Sequence, residues 1–490
     1  MLPIRDPIIP LVACAVPVLL LLAASNGARA AELLVGGATT SITPDKPVAL
    51  AGQFHTRIAR TVETPVTATA LALETRSGGK SLDQAIVVSC DLAAIRGTIQ
   101  DQLRQRLKDS MPGFDLRKLF LTATHTHTAP VMLEGTYEIP KKGVMQPSEY
   151  VEFLLGRLSE VAAKAWEARK PGGVSWGLGH AAVGYNRRVV YENGTARMYG
   201  STNTPDLRSI EGYQDHGVDM LFFWNGDKQL IAVAINVACP SQEVEGRSAI
   251  NADFWHDVRE QLHKRYAKDL YVLGWCGAAG DQSPHLLYGK AADERMRRLR
   301  GLTRMQEIAR RITQAVDDVF ELAKADIRTD VPLAHKVQDI KLPRRRVTDQ
   351  EFAQAKAEYE QLSKKTKLGP QDAMRMVRAK GVMDRHGRQD AEPDYQMELH
   401  VVRLGDVGIA TNPFELFLDF GIQIKARSKA VQTFVIQLAG TYGGYVPTEK
   451  AVRGGHYSTE IASNIVGPEG GKVLANRTVQ AINALWRGGR

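Results

Sequence analysis

The sequence predicts an α/β fold: a mixed β-sheet flanked by helices, with a charged helical insertion. Short β-branched or apolar runs alternate with long amphipathic stretches, which indicates sheet and helix in one body rather than a repeat protein. Residues able to do chemistry fall at the ends of the strand-like runs, where loops on a rigid scaffold commonly carry a site. Between about Arg344 and Tyr395 the composition turns charged and helix-prone, setting that stretch apart as an excursion.

The N-terminus reads as an export signal. Arg5 supplies a charged start, Ile8 to Ala24 an apolar stretch, and Ala28-Arg29-Ala30 a small-residue cleavage site. Residues 1–30 are therefore expected to be removed, with an exported chain, periplasmic or extracellular, starting at Ala31. Leu11-Val12-Ala13-Cys14 resembles a lipoprotein box but lies too early, with most of the apolar stretch still downstream. No other segment reaches the ~18 apolar residues of a membrane span.

Strands are expected at Ala85–Ser89, Met220–Trp224, Leu230–Ala238, Tyr271–Leu273, Val401–Leu404, Val407–Ala410 and Phe434–Leu438. The second and third flank Asn225-Gly226, a strong hairpin signal. Helices are expected at Glu152–Lys170, Asp253–Lys268, Ala292–Lys324 and Gly471–Trp486. Within the excursion, Thr348–Ala379 reads as a solvated helical segment or as a lid over a site. Three cysteines remain after Ala30: Cys90, Cys239 and Cys276. An odd count leaves at least one free thiol or a metal ligand.

The pentapeptide Thr124-His125-Thr126-His127-Thr128 follows the apolar run Lys118–Ala123. Two imidazoles one residue apart at a strand end point to the same side of the backbone. Imidazole is the commonest metal ligand and the usual proton-transfer group near neutral pH. One ring can therefore face a metal and the other a substrate.

Four further segments accompany the histidines: Tyr185-Asn186-Arg187, Gly280-Asp281-Gln282-Ser283-Pro284, Asn412-Pro413-Phe414-Glu415, and Tyr445 followed twelve positions later by Tyr457. In this order the five resemble the neutral (non-lysosomal) ceramidases, zinc amidohydrolases that cleave the N-acyl bond of ceramide. The resemblance runs from about Val35 to about Trp486. It implies that residues 31–490 form one catalytic domain, with the insertion at about 344–395 and without the C-terminal β-sandwich domain usual in that family.

The resemblance also implies roles. His125, Glu415 and Tyr445 would bind Zn2+, and Cys239 would stand where the family has a second histidine ligand. His256 and His285 remain open as substitutes for it. His127 and Tyr457 would stabilise the oxyanion, and Arg187 would reach the site, with Arg188 beside it as an alternative. Ser283 would either orient substrate or attack it. The implied activity is hydrolysis of an N-acyl bond, in ceramide or another N-acylated lipid or amino sugar, by metal-activated water. An esterase or carbohydrate deacylase on the same metal, or a binding protein that kept only the scaffold, are the alternatives.

Composition narrows the partners. Hydrophobic content of 44% and charged content of 24% are ordinary for a globular chain. The net charge of +9 comes without a Lys/Arg block interleaved with aromatics, so no nucleic-acid reader is expected. The resemblance implies a small acylated substrate, lipid or glycan, as partner, and the positive charge favours contact with anionic membrane surfaces.

Overall fold

The computed structural model describes residues 31–486; the expected export signal lies outside them. Eight strands form the larger sheet: β1 (Glu32–Ser41), β2 (Thr67–Ser77), β3 (Lys80–Cys90), β4 (Leu119–Ala123), β5 (Lys170–His180), β6 (Gly217–Asn225), β7 (Leu230–Val237) and β8 (Tyr271–Cys276). Their spatial order is β8-β7-β6-β5-β1-β2-β3-β4. Only the outer pairs, β3 with β4 and β7 with β8, run parallel. A second sheet of β9 (Leu333–Pro343), β10 (Asp394–Leu404), β11 (Val407–Thr411) and β12 (Gln432–Ile436) is antiparallel except for β11 and β12.

Alternation along the strands stacks these sheets face to face. In β2, Leu71 and Leu73 point into a core shared with the second sheet, while Ala68, Ala70 and Ala72 point the other way. Leu33, Val87, Phe120, Leu221 and Trp275 join the same shared core, where they meet Val402, Val407, Ile409, Phe434 and Ile436. The outer faces are covered by helices. On the larger sheet these are α1 (Ile99–Leu107), α2 (Pro147–Glu167), α3 (Phe254–Arg265) and, after α4 (Lys290–Leu299), α5 (Arg304–Ala325). The charged insertion is a helical hairpin, α6 (Asp349–Ser363) and α7 (Pro370–Arg388), between β9 and β10. Helix α8 (Leu418–Arg427) and the C-terminal helix Pro468–Ala484 cover the second sheet. The layers are helix, sheet, sheet, helix.

The expected elements are present, with shifted borders that have local causes. Helix α2 starts earlier because Pro147 stands at its first turn and Gln146 and Glu149 cap it reciprocally. The single helix expected over 292–324 is two. Gly301 adopts a left-handed φ of 68°, and Thr303 with Gln306 caps the restart. The hairpin of β6 and β7 exists, but its left-handed residue is Lys228 (φ 60°), not Gly226. Asn225 instead accepts from the backbone N–H groups of Asp227 and Gln229, which sets the turn. No helix among the described residues is long and apolar enough to cross a membrane.

Candidate active site

The five segments meet where the three parallel strand pairs end. His125 follows β4, Cys239 follows β7, Gly280–Ser283 follow β8, Glu415 follows β11, and Tyr442–Tyr445 follow β12. Backbone bonds tie these ends together: Ala123 N–H to Leu438 O, Ser241 N–H to Thr124 O, Gly280 N–H to Leu416 O, and Glu415 N–H to Gly444 O. Glu415 and Tyr445 sit opposite each other in a short parallel bridge. Gly280 is required at its position, because a Cβ there would lie 2.3 Å from the Glu415 carbonyl oxygen.

The histidine loop does not continue as a strand. His125 has a left-handed φ of 71°, so the same-side geometry of an extended HxH does not apply, yet the two rings lie 4.8 Å apart at 82°. Buried polar contacts impose this shape. Thr126 and Thr128 hydroxyls both donate to Asn251 O, at 2.8 and 2.7 Å, and Arg57 donates to His127 O at 2.5 Å. Beneath them Asp91, fully buried, takes a bidentate pair from Arg259 at 2.8 Å each and also accepts from Thr67 and Thr124.

Glu415 is the charge centre. One carboxylate oxygen accepts from Tyr442 at 2.8 Å; the other lies 3.4 Å from His125 Nε2 and 3.8 Å from Arg187. Burial alone would raise its pKa, but His125, Arg187 and a hydrogen bond from Tyr445 outweigh that and hold it at about 2. The Tyr445 and Tyr457 phenols are pushed up, chiefly by burial, so both keep their protons to donate.

Arg187 threads the cluster. It donates to Gly280 O (2.9 Å), Tyr199 Oη (3.0 Å), Gln242 Oε1 (3.4 Å) and Tyr445 Oη (3.4 Å). Arg188 turns away to pair with Glu211, at 2.6 and 3.0 Å, and braces the carbonyls of Ala451 and Gly455, just ahead of Tyr457. Asp281 anchors the Tyr185–Arg187 segment through Asn186 and receives the N–H of Leu418 at the start of α8.

His127 stands between Glu245 and Gln242. Its Nδ1 is 3.1 Å from a Glu245 oxygen and its Nε2 is 2.8 Å from the Gln242 amide nitrogen. Glu245 beside Nδ1 assigns the proton to that nitrogen, so Nε2 is an acceptor, and burial lowers the ring's pKa and keeps it neutral. His127, expected to stabilise the oxyanion, lies here between the Glu245 carboxylate and the Gln242 amide.

Ser283 is fully buried; its oxygen accepts from Tyr199 at 3.2 Å and from the His285 N–H at 3.1 Å. No imidazole or carboxylate is among its hydrogen-bond partners in the described residues. Cys239 lies apart from this cluster, its thiol donating to Val183 O at 3.3 Å within the apolar core of β6, β7, α3 and α5. Burial pushes that thiol's pKa well up. His256 stands on α3, and His285 faces Glu243 at 3.6 Å.

The donors suit a cation. His125 Nδ1 is hydrogen-bonded to the Ala93 carbonyl, the tautomer-fixing contact usual for a metal-ligating imidazole. That leaves Nε2 buried, without a hydrogen-bond partner, and facing a carboxylate. Two acceptors in that position need a proton or a cation between them. Among the described residues no three His, Cys, Asp or Glu side chains converge for an ion; what stands together here is one imidazole, one carboxylate and the Tyr445 phenol.

Four site residues carried no signal of their own in the sequence. Glu245, Gln242, Tyr199 and Tyr442 are single polar residues in irregular loops. Only the proximity of Glu245 and Gln242 to Cys239-Pro240 in the chain pointed towards the site.

The structure is similar to that of the neutral ceramidase from Pseudomonas aeruginosa, with a TM-score of 0.66 at 17% identity, covering 93% of this chain and 74% of that one. The chain has a neutral ceramidase-like fold. A second similar structure, a ceramidase complexed with C2, gives a TM-score of 0.64 at 14% identity, with 93% and 75% covered. No family model matches this neutral ceramidase-like chain, and no curated protein matches it in sequence.

Proposed function

We propose that the chain is a zinc-dependent amidohydrolase that cleaves the N-acyl bond of an acylated lipid or amino sugar, ceramide being one candidate. The observation that carries this reading is the bare His125 Nε2 facing the ionised Glu415 carboxylate, with Arg187, Tyr445 and Tyr457 gathered around them. His125, Glu415 and Tyr445 would hold the ion, since three protein ligands leave a position open for chemistry. Bound there, zinc would polarise the acyl carbonyl and make water acidic enough to attack near neutral pH.

The remaining steps belong to the side chains. Tyr457 donates to the carbonyl oxygen as charge develops on it, and the fixed Arg187 guanidinium adds to the same field. His127 Nε2, once the Gln242 amide gives way to substrate, accepts the proton of the attacking water. Glu245 stabilises the resulting imidazolium, which then hands that proton to the leaving amine. Ser283 orients Tyr199, and through it Arg187.

Tyr457→Phe is expected to lower kcat by roughly 10²–10³ with little change in KM, since the hydroxyl acts only in the transition state. Ser283→Ala should cost far less, because no base adjoins its hydroxyl. Near-complete loss in Ser283→Ala, with an acyl-enzyme trapped in the parent, would instead establish a covalent serine. Steady-state kinetics on an acyl amide, an acyl ester and an acetylated amino sugar separates the amidase from the deacylase reading.

Cys239 enters the ligand set only by turning from Val183 and losing a proton that burial holds in place. Zinc titration of Cys239→Ala is expected to give an affinity within about tenfold of the parent, below the loss expected when even an indirect support of the metal is removed. A loss of several orders of magnitude would put the thiolate on the ion.

A further inference from the structure

Two tyrosines of the site each follow a residue that is tied to the other's neighbour. Met198 precedes Tyr199, His456 precedes Tyr457, and the Met198 N–H donates to His456 Nδ1 at 3.1 Å. Both ends of this bond adjoin left-handed backbone: Tyr199 has a φ of 53° and His456 a φ of 81°. Neither is glycine, and residues with a side chain keep such angles only where their surroundings impose them. Here the Tyr199 N–H donates to Arg187 O at 2.7 Å. The His456 carbonyl accepts from the N–H groups of Thr459 and Glu460, at 2.8 and 3.2 Å.

The bond joins two separate pieces of the fold. Met198 ends an edge strand, Ala196–Met198, in a three-stranded sheet with Arg188–Tyr191 and Leu207–Ile210. His456 stands between the short helix Glu449–Gly454 and Tyr457, whose ring it meets at 5.4 Å. Nδ1 accepts a hydrogen bond only while it is unprotonated, so the half-buried ring must be neutral with its proton on Nε2. The charged groups that face it are Glu460 from its own segment and Arg188 and Arg197 from the small sheet. Burial is the largest influence and lowers the ring's pKa; Glu460 opposes it, and the two arginines add to it.

We propose that His456 is a positioning residue: its neutral ring latches the segment carrying Tyr457 to the strand carrying Tyr199, and protonation of the ring opens the latch. The inference rests on the hydrolytic reading only for what Tyr457 does once it is in place. A protonated Nδ1 sets one N–H against another, and the bond that offsets the backbone strain on both sides is lost. Because the folded-state pKa lies below the ordinary 6.5, the latch is whole above about pH 6.5 and is lost as the pH falls through the lowered value.

The test is hydrogen exchange, read at the Met198 amide and over residues 449–460, between about pH 7.5 and about pH 4.5. Rates are corrected for the intrinsic pH dependence of exchange. In the parent, protection should fall about fivefold or more on acidification, the factor carried by one net hydrogen bond. His456→Asn offers an amide oxygen where Nδ1 stands, tolerates the left-handed turn and does not titrate. Its protection should change by less than about twofold over the same range. His456→Gly keeps the turn without the acceptor and should exchange as fast near neutrality as the parent does in acid. On an acyl amide, kcat should fall in acid about fivefold further for the parent than for His456→Asn, with KM alike. Groups that titrate in both proteins cancel in that comparison. Equal pH dependence of protection in the parent and His456→Asn overturns the proposal. So does a kcat profile identical in the two while their protection differs, since the latch would then position nothing. If no amide is cleaved while protection behaves as expected, the latch stands and the catalytic reading falls.

Discussion

His125→Ala and His125→Asn are expected to lose at least ~10³-fold in kcat/KM, more than the loss of a single oxyanion donor, and to lose bound zinc. The paired substitution matters because of backbone conformation. His125 holds a φ of 71°, which alanine accepts only with strain and asparagine accepts readily. Alanine therefore reports ligand loss plus loop distortion, and asparagine reports ligand loss alone. Without the ring, the buried Glu415 carboxylate keeps only Arg187 and the tyrosines to balance it. Elemental analysis and kinetics on both variants check this. Zinc retained at the parent level in His125→Asn would remove His125 from the ligand set.

The second large effect is on stability. Asp91→Ala is expected to destabilise the fold by about 3–5 kcal/mol, the usual result of stripping one partner from a buried ion pair. Arg259 would be left 9% exposed with its charge uncompensated, and Thr67 and Thr124 would lose their acceptor. Replacing both partners with apolar residues, as in Asp91→Ala with Arg259→Met, should recover much of that loss, since no charge is then stranded. Urea unfolding of the three proteins measures it. A single-variant effect under about 1 kcal/mol would mean that the pair is not the keystone of the histidine loop.

Much of the fold was legible because it is written in local patterns of apolar residues. Met220–Trp224 and Leu230–Ala238 are near-continuous apolar runs on either side of a turn signal, and the strands fall there. The stacking of two sheets was not legible, because alternation says which side chains share a face but not what covers it. For the site, the segments carrying His125, Arg187, Ser283, Glu415, Tyr445 and Tyr457 were recognisable as short motifs. The geometry of His127 was not: its proton position depends on Glu245 and Gln242, two loop residues with no pattern. The placement of Cys239 was equally hidden. Its chain position is next to the site, but its side chain follows the outer, helix-covered face of β7 into the apolar core against α3 and α5.

The face-to-face sheets also set a hazard in the life of the chain. The larger sheet is complete by Cys276, whereas its covering partner does not begin until Leu333 and is not finished until Ile436. During synthesis, Leu33, Leu71, Phe120, Leu221 and Trp275 therefore form an apolar plane with nothing against it. Such long-range closure is slow, and its half-finished state is the kind that aggregates. His125 and Glu415 come into contact only after that closure. Catalytic competence should then appear as the final event of folding, and a chain arrested before residue 436 should be both inactive and a client for chaperones.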